Sequence, residues 1–72
     1  EKVLKDARKK LGLRKNSKEY QDFLFRLFDG DSFLYRKYKN DNGEIVARAI
    51  DRYESGFDND FYKTIAEGFA DV

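Results

Sequence analysis

Apolar residues recur along this chain at intervals of three and four. Val3, Leu4, Ala7 and Leu11 stand at i, i+1, i+4 and i+8, one stripe of a helix over about residues 2–11. Gly12 supplies its stop, and Leu13 the apolar contact beyond the cap. Tyr20, Phe23, Leu24, Leu27 and Phe28 form a fuller stripe and define a second helix, entered at Asn16 or Ser17 and ended by Gly30. Asn16 and Glu19 have the spacing of a capping box. Phe25 lies off the stripe, so it faces either another element or solvent.

The middle of the chain admits two readings. In one, Phe33–Lys39 and Glu44–Ile50 pair as a hairpin across Asn40-Asp41-Asn42-Gly43, since Asn-Gly is a strong turn signal. In the other, Asp31 or Ser32 caps a short helix holding Phe33, Leu34, Lys37 and Tyr38. Asp41, with Glu44 at capping-box spacing, then opens a helix over about residues 42–54 that stops at Ser55-Gly56. Ile45, Val46, Ala49, Ile50 and Tyr53 follow a helical period and do not alternate, which favours the helices. Asp58 is placed to cap a last helix, with Asp60 in its first turn beside the positive end of the dipole. Phe61, Tyr62, Ile65 and Phe69 make its apolar face, and Gly68 within that face either frays the C-terminus, which its place near the end favours, or permits a close helix crossing.

These elements predict an all-α fold, a small single-domain bundle of four to five short helices spanning residues 1–72. Its expected core is Leu4, Leu11, Phe23, Leu24, Leu27, Phe28, Leu34, Ile45, Val46, Ile50, Tyr53, Phe61, Ile65 and Phe69. A chain of 72 residues has a marginal core, but 12 of its 29 apolar residues are aromatic, enough mass to argue against disorder. The chain does not begin with Met and is expected to be part of a longer protein. No apolar run is long enough to cross a bilayer, so no membrane partner is expected.

Composition removes much chemistry. There is no His and no Cys, which excludes Ser-His and Cys-His nucleophiles, disulfides and thiolate or imidazole metal sites. The lack of Cys fits a reducing, cytoplasmic setting. Asp29 with Asp31, and Asp58 with Asp60, resemble acid–base pairs only in spacing, and helix capping accounts for both. A calcium loop with Gly43 at its sixth position would need an acidic residue at 38 and Glu at 49, where Tyr38 and Ala49 stand. No enzymatic activity, cofactor, metal or small-molecule substrate is expected.

Charge changes the picture more. The net value of +1 conceals a split: residues 1–39 hold twelve Lys/Arg and six Asp/Glu (+6), residues 40–72 three and eight (−5). Lys2, Lys5, Arg8, Lys9, Lys10, Arg14, Lys15 and Lys18 crowd residues 2–18, opposed within that stretch by Asp6 alone. One reading is a solvated face whose charges pair with the acidic half. The other is an anion-binding surface, since phosphate binding needs several cations along one face.

On the second reading the chain is a non-enzymatic nucleic-acid-associated domain that contacts phosphates, on DNA ahead of RNA. Lys5, Arg8, Lys9, Arg14 and Lys15 face outward as the contacts, beside the first N–H groups of the second helix. Arg36 and Lys39 extend the track, and Tyr35 or Tyr38 offers a stacking platform for single strands. A helix-turn-helix with residues 42–54 as recognition helix fits poorly, because Glu44, Asp51 and Glu54 outnumber Arg48 and Arg52 there. The alternative is a protein-interaction or dimerisation domain of a larger regulatory protein, with a homodimer joined through opposite charges and surplus surface aromatics.

Overall fold

Short polar side chains ahead of four apolar stripes decide where those helices begin. The computed structural model describes residues 2–57 and 59–70, and among them lie five helices: α1 (Lys2–Lys10), α2 (Lys18–Leu27), α3 (Ser32–Tyr38), α4 (Asn42–Glu54) and α5 (Asp60–Ala70). Ser17 Oγ accepts the Tyr20 N–H at 3.2 Å, and Asp31 Oδ1 accepts those of Phe33 and Leu34 at 2.9 and 3.2 Å. Asp41 Oδ1 accepts the Glu44 N–H at 3.0 Å, and Asn59 Oδ1 that of Phe61 at 2.8 Å. Such a cap contributes about 1 kcal/mol by satisfying an otherwise orphaned donor. Because Asp31 and Asp41 each open a helix, residues 33–50 form two helices and no hairpin. Neither expected capping box closes. Ser17, not Asn16, is the cap of α2, and the Glu44 carboxylate turns forward to accept Arg48 Nε at 3.1 Å. The expected cap Asp58 lies outside the described residues.

The ends of α1, α2 and α4 use a left-handed residue. Gly12 takes that role after α1, where the Leu13 N–H reaches back to the Arg8 carbonyl at 2.8 Å. After α2 the first left-handed position is filled by Asp29 at φ 62°, one residue before the expected Gly30. The Gly30 N–H closes the motif on the Phe25 carbonyl at 2.9 Å. Asp tolerates this conformation better than most residues, and here its carboxylate gains a partner, Arg52 of α4. The same Arg52 Nη2 donates to the Leu27 carbonyl at 2.9 Å, so α4 both caps and anchors the end of α2.

The core lies among α1, α2, α4 and α5. Leu4, Phe23, Leu24, Leu27, Phe28, Ile45, Phe61 and Ile65 are buried as expected, joined by Ala7, Tyr20, Ala49 and Tyr62. Phe23 of α2 lies nearly parallel to Phe61 of α5, and Tyr20 meets the same ring at 5.5 Å. Helix α3 buries no residue completely. It covers the core with Leu34, Tyr35 and Tyr38, and Tyr38 stacks on Phe28 at 5.8 Å. Leu11 and Val46 are half-buried against the core, and Ile50 is half-buried as well.

Two expected core residues are exposed instead: Tyr53 at 38% and Phe69 at 48%. On α4 the apolar stripe from Ile45 to Ile50 sweeps about 140° at 100° per residue. Burial is greatest at Ile45 and Ala49; Tyr53 lies within the same sweep but stands in the last turn of α4, at the helix end. Phe69 sits at the last turn of α5, beyond the core.

Gly68 does not fray the end of α5, which continues to Ala70. It faces α1, and a methyl group built there would meet Val3 Cγ1 at 3.7 Å, an ordinary contact. Gly68→Ala should therefore stabilise the protein by about 0.5–1 kcal/mol through helix propensity. Urea unfolding followed by circular dichroism reads this as a raised midpoint. A lowered midpoint would mean that the α1–α5 crossing cannot take a methyl group.

Candidate anion-binding surface

Helix α1 turns Val3, Leu4 and Ala7 inward, and its lysines follow from that choice. Lys2, Lys5, Lys9 and Lys10 are exposed, as are Arg14 and Lys15 in the loop and Lys18 at the start of α2. None of these seven forms an ion pair among the described residues, where the pairs are Arg48–Glu44 and Arg52–Asp29. Among the described residues, pairing with the acidic half therefore does not account for these seven cations.

Arg8 does not face outward, contrary to expectation. It is only 8% exposed. Its guanidinium lies 5.2 Å from the centre of the Tyr20 ring, and Nη1 donates to the Tyr20 hydroxyl at 3.3 Å. The cause is helical register: Arg8 is four residues after Leu4 and one after Ala7, on the buried side of α1. It is a buried cation and does not share the exposed face of Lys5 and Lys9.

The remaining candidates divide into groups. Lys5 and Lys9, four residues apart, share one exposed face of α1. Lys15, Tyr35 and Lys39 are brought together by Gln21, whose Nε2 donates to the Lys15 carbonyl at 2.8 Å while its Oε1 accepts the Tyr35 hydroxyl. Lys39 Nζ stands 5.8 Å over the Tyr35 ring. Arg14 is the loop neighbour of Lys15 and is exposed. Tyr35 is half-buried, with Phe25 against it edge to face at 5.6 Å, so Phe25 does face another element. Tyr38 has one face on Phe28 and serves first to cover the core. Arg36 is exposed but lies about 100° around α3 from Tyr35, outside this group.

Gln21 carries no charge or motif that singles it out in the sequence. Its only signal is a polar position flanking the apolar stripe of α2, one residue after the core residue Tyr20.

Two acidic residues of α4 lie away from the basic loop. Val3 packs against Gly68 near the end of α5, while Leu13 of the α1–α2 loop lines a hollow with Asn59 and Phe61 at its start. Helices α1 and α5 are thus antiparallel, with the basic loop at one end of the pair. Asp51 and Glu54 line a groove with Val3 and Phe69 at the other end.

Among the described residues no group of three or more Asp/Glu is arranged to hold a metal ion. No helix among them is long and apolar enough to cross a membrane. No family model matches the sequence, and no curated protein or solved structure shows detectable similarity to it. The functional reading rests on this chain's own residues.

Proposed function

We propose that this chain is a non-enzymatic domain that binds nucleic acid, DNA ahead of RNA, through its phosphates. The observation that carries the reading is the set of seven exposed cations in residues 2–18 with no acidic partner among the described residues. Unpaired surface cations keep their full electrostatic attraction for a polyanion, and each phosphate neutralised releases counterions. Lys5 and Lys9 supply one contact stripe, and Arg14, Lys15 and Lys39 a second. For a single strand, Tyr35 beside Lys39 combines a ring for stacking with a cation for phosphate. The lack of cysteine suits a reducing compartment, and we place the activity in the cytoplasm.

Charge reversal tests the reading. Lys9→Glu with Lys15→Glu should weaken binding to unrelated duplex sequences alike, by at least roughly tenfold, because phosphate contacts carry no base information. The salt slope should shrink by about 1 for each contact removed. Fluorescence anisotropy with labelled duplexes reads both effects. Unchanged affinity in the doubly reversed protein would place any binding elsewhere.

A further inference from the structure

The wide apolar stripe of α4 leaves a groove on the surface. Its floor is Val46, Ile50 and Phe69, its volume is about 600 Å³, and a second hollow continues it along α4 and α5 through Ile50 and Phe69. The rim is acidic, with Asp51 and Glu54 on α4 and Glu67 on α5, and among the described residues no Lys or Arg lines it. An apolar floor with an anionic rim fits an apolar side chain flanked by cations.

The chain displays such a group on α3. Leu34, Tyr35 and Tyr38 turn toward the core, which leaves Phe33 71% exposed, more than any other large apolar residue described. Phe25 and Phe57 are also exposed, but Phe25 meets Tyr35 and Phe57 lies beneath the Arg52 guanidinium. Phe33 makes no ring contact among the described residues. Arg36 and Lys37, three and four residues on, share its outward face and are exposed. Lys37 Nζ rests 5.3 Å over the neighbouring Tyr38 ring. An aromatic ring left in water thus stands one turn before two cations and matches the groove in both polarity and charge.

We propose that the chain self-associates by seating Phe33 of one copy in the α4–α5 groove of another, with Arg36 and Lys37 against Asp51 and Glu54. The contact joins two different surfaces. It is therefore either made twice across a two-fold axis or repeated head to tail. This association is independent of phosphate binding and is measured without nucleic acid.

Sedimentation of the folded chain up to about 1 mM should show an average mass that rises with concentration at low salt and rises less at physiological salt. Phe33→Ser leaves the core untouched and should weaken association by roughly tenfold or more. Glu54→Lys should do the same from the groove side. Mixing the two variants should restore a one-to-one pair, because each keeps the surface that the other has lost. Helical circular dichroism of each variant confirms that it is folded. A wild-type monomer at every concentration would overturn the proposal and leave the groove to a partner of another sequence. Association that survives both substitutions would overturn it as well.

Discussion

Replacing Phe28 with Ala should lower the unfolding free energy by about 3–5 kcal/mol. Phe28 is 0% exposed and stands where α2 ends, so its ring drops into the core as the backbone turns away. Tyr38 stacks on it at 5.8 Å, and the Arg48 guanidinium lies 5.1 Å from the ring centre. Truncation would leave a cavity and remove the surface on which α3 sits. Helix α3, which buries no residue completely, would then be held by Leu34 and by the contacts of Tyr35 with Gln21 and Phe25. A domain of this size has a total stability of about 4–11 kcal/mol at 0.05–0.15 kcal/mol per residue. The loss is thus a large share of the total stability. Urea unfolding by circular dichroism is the check, and an unchanged midpoint would mean that the ring is not part of the core.

Arg8→Ala should be the second large effect, on stability alone. The substitution removes a charge-assisted hydrogen bond to Tyr20, a cation–π contact with the same ring and the packing of the aliphatic stem. Together these amount to about 2–4 kcal/mol. Lys9→Ala is the counterpart: exposed on the same helix, it should change stability by less than about 0.5 kcal/mol while weakening phosphate binding. Urea midpoints and anisotropy with duplex DNA, measured on both variants under folding conditions, separate the two roles. If folded Arg8→Ala loses more DNA affinity than Lys9→Ala, Arg8 is a phosphate contact after all.

Arg8 also shows what was legible in the chain and what was not. Helix boundaries were readable because capping is local: Ser17, Asp31 and Asp41 each reach an N–H two or three residues on. The stripes were readable because period reports type of element. Which part of a stripe is buried depends on the neighbouring helix, so Tyr53 and Phe69 emerged exposed while Ala7 and Ala49 became core. Arg8 has the register of a core position and the chemistry of a surface one. Its partner Tyr20 lies twelve residues away, a pairing that no local pattern reveals. Gln21 reaches Lys15 six residues back and Tyr35 fourteen residues on, and was invisible for the same reason.

The proposal that exposed cations at the N-terminal end hold phosphates is tested most directly by the salt dependence of binding. The folded chain should bind labelled duplex DNA at low salt, with affinity falling linearly on a log–log plot as salt rises. At about −0.9 per phosphate, four to six contacts predict a slope of roughly −4 to −5. No binding at low salt, or binding that salt does not weaken, would contradict it.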